Sequence, residues 1–327
     1  IKELSVPLTK LQFRPGINRD VTSFSNEGGW VNCDKIRFRL GYPEVIGGWE
    51  KYSSNTFLGT SRGLFNWVAL DGSDFLGVGT NLKYYIEQGQ AFNDITPIRK
   101  TVTNTITFSA TDGSSTITAT DSTHGAVQGD FVTISGAVSL GGNVTAAVLN
   151  QEYQIDSVPT GNTYTFTAKD TTGATVTANA SDSGNGGSGV DGEYQINTGL
   201  NTGVGGTGWG AGTWGRGTWG SGTTIGVTTS LRLWSHDNFG EDLLINPRDD
   251  KIFFWDKTNG VSTRAVEIGT ISGADNTPTI AKQIMVSDVD RHVIAFGTNT
   301  LGTTTQDPLL VRFSSQEALL DSTPKST

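Results

Sequence analysis

The feature that most constrains this chain is a unit of three apolar runs and two polar turns that recurs along it. The first copy is FNWVALDGSDFLGVGTNLKYYIEQ, from Phe65 to Gln88. The second is LRLWSHDNFGEDLLINPRDDKIFFWDK, from Leu231 to Lys257. The third begins QIMVSDVDRHVIAFGTNT at Gln283 and resumes as PLLVRFSS at Pro308. In each copy a strand leads to an acidic turn: Asp71-Gly72, Asp237 to Gly240, or Asp288 to Arg291. A second apolar strand follows, then a polar turn at Thr80-Asn81, Arg248-Asp249 or Thr298-Asn299, then a third strand. Short runs rich in aromatic and β-branched residues, bounded by turn residues, read as strands. Repeated three-stranded meanders suggest propeller blades, each of which needs neighbours stacked on its faces. A closed propeller takes about four to eight blades. The expectation is therefore an all-β chain built as a partial β-propeller, with further blades beyond residue 327.

Residues 101–190 interrupt the repeat and differ from their flanks. They hold no Trp, although the chain has 8, and their only basic side chain is Lys169. They read as alternating, threonine-rich runs such as STITATD, DFVTISGA, TYTFTAK and ATVTANA. Such alternation marks strands with one buried face. SDSGNGGSG, from Ser181 to Gly189, reads as a flexible linker. The expectation is a small β-barrel or sandwich inserted in a larger domain. The resulting division is 1–100 for an amino-terminal segment and first blade, 101–190 for the insertion, 191–230 for a Gly/Trp-rich loop, and 231–327 for further blades.

That loop carries GTGWGAGTWGRGTWGSG, which spaces Trp209, Trp214 and Trp219 five residues apart. A period of five suits neither a helix nor a strand. The tryptophans read as packing or interface anchors. Their target is the protein's own sheet, a neighbouring subunit, or the sugar rings or bases of a ligand.

Chemical signals are weak. The G-x-G-x-x-G matches at Gly184, Gly186, Gly189 and at Gly203, Gly205, Gly208 do not join a strand to a helix, as a dinucleotide site requires. His124, His236 and His292 show no metal-ligand spacing, and the latter two read as turn residues. Asp288 and Asp290 read as a solvated turn, and Cys33 as a small buried residue. We assign no catalytic, cofactor-binding or metal-binding residue and expect no cofactor. A net charge of −9 argues against holding nucleic acid by neutralising phosphates, yet suits a wall along which DNA slides. No apolar run reaches the ~20 residues that span a membrane.

The amino-terminal stretch PGINRDVTSFSNEGGWVNCDKIRFRLGYPEVIGGWEK, with LRLWSHDNFGEDLLINPRDDKIFFWD and GWGAGTWG, resembles tail proteins of short-tailed, especially marine, bacteriophages. HGAVQGDFVTISGA with NQEYQIDSV is similar to a small β-barrel module of phage structural proteins. The resemblance implies a non-enzymatic tail-tube or nozzle-like ring subunit in the virion tail, assembled in the host cytoplasm. It also implies a ring of six copies, a portal adaptor and tail fibres as partners, and genomic DNA in passage. On KIRFRL, Arg37 and Arg39 share one side of a strand, with Ile36, Phe38 and Leu40 on the other. The two arginines are candidates for contact with a ring neighbour. The rival expectation is a receptor-binding tail protein that recognises a host-surface glycan.

Overall fold

The computed structural model describes residues 13–199, 231 and 233–321. The chain divides into two units, Ile1–Ser54 and Asn55–Thr327.

In the first unit, β1 (Ile36–Arg39) and β2 (Tyr42–Val45) form an antiparallel hairpin. The turn residues Leu40 and Gly41 both have positive φ, the geometry that matches strand twist in a two-residue hairpin. Leu40 therefore leaves the strand's apolar side and is exposed, contrary to the sequence expectation. Trp30 anchors this unit between the rings of Phe13 and Phe38. Its described part is a hairpin and loops, not a further blade.

The second unit opens with β3 (Ser61–Val68), β4 (Asp74–Thr80), β5 (Tyr84–Gln88) and β6 (Ala91–Asp94), paired in sequence order as one antiparallel sheet. The first blade thus has a fourth strand that the sequence repeat did not include.

The chain then enters a sandwich. Its strands are β7 (Ile98–Val102), β8 (Thr107–Ala110), β9 (Thr116–Thr120) and β10 (Phe131–Ser135). After the one-turn helix α1 (Ala146–Leu149) come β11 (Glu152–Gln154), β12 (Ser157–Thr160), β13 (Thr163–Thr167), β14 (Asp182–Asn185) and β15 (Asp191–Gln195). They form a four-stranded sheet, β11-β10-β15-β7, and a five-stranded sheet, β12-β13-β9-β8-β14. Neither closes into a barrel among the described residues. Alternation dictates the core. On β13, Tyr164 and Phe166 point inward opposite Ala119 and Ile117, while Thr163, Thr165 and Thr167 lie on the other side. Each inward aromatic contributes on the order of 2–3 kcal/mol by area.

First and last strands of the sandwich pair directly, Val102 with Gly192 and Ile98 with Gln195. Entry and exit therefore lie side by side, which lets a domain interrupt another without stretching it. The sandwich runs a few residues past 101–190 at both ends. The presumed linker is also structured, because β14 pairs with β8 along the sheet edge. Gly186 sits there at φ +110°, and a Cβ would collide with the buried Phe108 ring. Glycine at that position answers a steric demand, so its presence does not signal a flexible connection.

Two further blades follow. The second is β16 (Trp234–Phe239), β17 (Asp242–Pro247), β18 (Phe253–Trp255) and β19 (Val266–Glu267). The third is β20 (Gln283–Val286), β21 (Val293–Phe296) and β22 (Val311–Phe313). On β17, Leu243 and Ile245 join a core with Trp67, Phe75, Tyr84 and Trp234 of the first two blades. The intervening Leu244 joins Ile284, Val286, Val293 and Ala295 of the third. The central strand of the second blade is thus buried on both faces, as stacked blades require.

The first strands also bond across blades. Ser235 Oγ donates to the Ile284 carbonyl and accepts from the Ile284 N–H, both at 2.9 Å. Asp237 Oδ2 accepts from the Val286 N–H at 2.8 Å. On the opposite side, Trp234 Nε1 donates to the Thr80 carbonyl at 2.7 Å.

Candidate functional site

The densest charge cluster lies where the sandwich meets the first two blades. Thr80 Oγ1 accepts from the Lys83 N–H at 2.8 Å and donates to its carbonyl at 2.9 Å, closing the turn before β5. The Lys83 side chain, 3% exposed, reaches Asp94 Oδ2 at 2.7 Å and Glu152 Oε2 at 2.6 Å. Its ammonium lies 4.6 Å from the centre of the Phe131 ring. Arg264 Nη1 donates to the Thr96 carbonyl at 2.8 Å and lies 3.2 Å from Asp94 Oδ1; Nη2 lies 3.6 Å from Glu152 Oε1. Thr96 donates to Asp94 Oδ1 through its N–H and its hydroxyl, and Gln195 donates to Glu152.

Two cations and two carboxylates leave this cluster formally neutral. Burial pushes the Asp94 carboxyl up, but Lys83 and Arg264 outweigh it and hold its pKa below the ordinary value. Lys83 and Asp94 come from the first blade, Arg264 from the second, and Glu152 from the sandwich. The arrangement is chemically suited to fixing the sandwich on the blades. Arg99 extends it, donating to the carbonyls of Gln195 and His124 at 3.1 Å each, with Asp130 3.7 Å away.

A second cluster ties two blade turns together. Lys257 Nζ lies 2.9 Å from Asp71 Oδ2 and 2.8 Å from Glu241 Oε1. Glu241 Oε1 also accepts from the Leu70 N–H at 2.7 Å, and its carbonyl accepts from Trp67 Nε1 at 3.0 Å. Hydrogen bonding to Lys257 and Ser73 pulls the Asp71 carboxyl down to about 2.

Apolar rows remain on the outer faces of the end blades. On the third blade, Met285 pairs with Ile294, which pairs with Phe313, and Phe296 pairs with Val311. Phe313 is 65% exposed, and Met285 and Val311 are also exposed. On the first blade, Leu64 is 62% exposed and Val68 is exposed beside it. Phe57 covers the far side of that face, against Tyr85 and Phe92.

The residues singled out from sequence fall elsewhere. Arg37 and Arg39 both lie on the exposed side of β1, and Arg37 Nε pairs with Glu44 Oε2 at 3.1 Å. Trp209, Trp214 and Trp219 lie outside the described residues. His236 is not a turn residue: it lies within β16, with Nδ1 3.2 Å from the Tyr84 hydroxyl and its ring against Phe65. Burial lowers its pKa. His124 is buried in the sandwich between Tyr164 and Tyr194, and burial lowers its pKa too. Cys33 is only half-buried. Gly184 and Gly186 belong to or border the edge strand β14. Asp288 and Asp290 are exposed, and no group of metal-ligating side chains occurs among the described residues.

No protein-family model matches the chain, and no curated protein matches it. Among solved structures, a likeness is found to one titled phage phi92 endosialidase, at 12% identity and a TM-score of 0.23 over 86% of this chain. The chain spans 39% of the length of that protein.

Proposed function

We propose that this chain is a non-enzymatic structural subunit of the tail of a short-tailed bacteriophage, forming a nozzle-like ring through which the genome leaves. The observation that carries the reading is the exposure of apolar rows on the outer faces of the first and third blades. The second blade indicates what covers such a face, namely another blade. Blades of neighbouring copies joined head to tail would extend the arc and close a ring. The stretches that resemble phage tail proteins supply the virion context. They make a portal adaptor, tail fibres and about five other copies the expected neighbours. In this role the ionic junction keeps the inserted sandwich at a fixed angle to the wall. The acidic balance limits adhesion of passing DNA.

The test is direct imaging of the particle, with density for this chain in a central ring beneath the capsid as the expected result. A peripheral spike would overturn the reading. Met285→Glu and Phe313→Glu provide a second arm. Each changes a surface position and should alter subunit stability by no more than about 0.5 kcal/mol. Mass photometry should nonetheless show loss of the assembled species; unchanged assembly would count against the blade faces as contacts. A second reading, a receptor-binding tail protein, draws support from a cleft between the second and third blades whose lining includes Arg248 and Lys282.

A further inference from the structure

Arg248 and Lys282 line a cleft of about 680 Å³ between the second and third blades. Among the described residues neither side chain has an ion-pair partner, although this acidic protein engages several of its cations with carboxylates. The backbone that carries the pair is held firmly. Asp249 N–H donates to the Ala281 carbonyl, and Ala281 N–H donates to the Asp250 carbonyl, both at 2.9 Å. Asn246, fully buried, donates to the carbonyls of Asp250, Lys251 and Ala281. Asp249 itself adopts φ +60°, and Gln306 Nε2 bonds its carboxylate at 3.0 Å. The turn bearing Arg248 is thus fastened to the segment bearing Lys282, which fixes the backbone from which both cations reach the cleft.

The rest of the cleft is mixed. Met285, Phe296 and Pro308 give it apolar surface, and Gln283 an exposed amide. The carboxylate within it, Asp237, is engaged by the N–H groups of Asn238 and Val286. We propose that this cleft binds an acidic sugar residue. Its carboxylate would lie on Arg248 and Lys282, its ring on the apolar floor, and a hydroxyl on Gln283. The volume falls in the range of about 300–1,000 Å³ typical of small-ligand sites. Two cations match one carboxylate, whereas a DNA site commonly neutralises about 6–10 phosphates. The net charge of −9 adds repulsion against a nucleic-acid backbone. The cleft is lined by one copy of the chain, but Gln283 and Met285 also belong to the outer face proposed to meet a neighbouring blade, so sugar and blade would compete for that edge.

Ligand-observed NMR titrations of the full chain test this with three probes: galacturonate, neutral galactose, and a short single-stranded DNA. The expected result is binding of galacturonate over galactose and DNA. Charged hydrogen bonds contribute about 1.5–3 kcal/mol each, so Arg248→Ala should weaken galacturonate roughly tenfold or more. Lys282→Met, which keeps the stem packed near Gly297, should do the same without disturbing the fold. Failure of galacturonate to bind, equal binding of galactose, or insensitivity to both substitutions overturns the assignment. Preferential binding of DNA through the same cations also overturns it.

Discussion

Replacing Lys83 with Met tests whether the ionic junction fixes the sandwich to the blades. The methionine keeps most of the side-chain volume and its contact with Phe131, so charge is the main change. At an effective dielectric near 20, a contact of the length seen to Asp94 or Glu152 supplies about 6 kcal/mol of Coulomb attraction. Desolvation of several kcal/mol per ion offsets most of it. Removing one partner from a fully buried cluster costs about 3–5 kcal/mol, because the remaining charges lose compensation. Asp94 and Glu152 are 22% and 30% exposed, and Arg264 still reaches both. Solvent screening therefore lowers the expected loss to about 2–3 kcal/mol. The assay is urea unfolding of wild type, Lys83→Met, Glu152→Gln and the double variant. The cycle isolates the Lys83–Glu152 term, which joins blade to sandwich, and its coupling should exceed about 1 kcal/mol. Proteolysis between residues 196 and 199 should also accelerate in Lys83→Met, since that connection opens when the sandwich tilts. Additive effects within about 0.3 kcal/mol, with unchanged proteolysis, would refute the argument.

Acid should weaken the fold through its buried histidines. Folded His236 and His124 have pKa values lowered by burial, so below about pH 6.5 the unfolded state binds more protons than the native state. Their contribution is complete above that pH and is lost as pH falls toward the folded values. The urea midpoint should drop across this window, and His236→Gln should flatten the drop; a midpoint that rises on acidification contradicts the reasoning. Gly79→Ala should cost about 1–3 kcal/mol by overpacking, because its Cβ would press into the Trp234 ring, which is tethered to the Thr80 carbonyl. Gly161→Ala, whose Cβ meets open space, should stay within about 0.5 kcal/mol in the same thermal-melt comparison.

The three meanders were legible because short apolar runs and the polar turns that bound them are local. The short closing strand β19 was not, since two residues carry no period. Strand β6 was hidden for another reason: Gly89 and Gln90, both at positive φ, turn the chain so tightly that AFND reads as the tail of a loop. The junction was beyond sequence reasoning altogether. Lys83 and Glu152 lie 69 residues apart, and Arg264 meets the Thr96 carbonyl across 168. The one local hint is a lysine wedged between Leu82 and Tyr84, where alternation leads into a buried strand. SHDN has turn-like composition, which hides His236 in a strand; in β16 Ser235, His236 and Asp237 serve neighbouring blades, while Asn238 bonds the Gly240 carbonyl of its own turn.

That strand shows how a blade depends on its neighbours. Successive residues of β16 alternate between them. Trp234 and His236 meet the first blade, while Ser235 and Asp237 bond the N–H groups of β20, whose edge would otherwise be open to pairing with another chain. A one-residue slip would exchange all four, placing an indole against β20 and a carboxylate against the aromatic core. Register and blade order are thus fixed together. The corresponding positions on β20 are Gln283 and Met285, which face outward with no described blade to receive them. Met285 brings no hydrogen-bonding group where Asp237 brings a carboxylate. A partner on that face must therefore be held by apolar burial over Met285, Ile294 and Phe313 more than by side-chain bonds to a strand edge. This predicts an association that strengthens with salt, opposite in sign to an assembly held by exposed ion pairs.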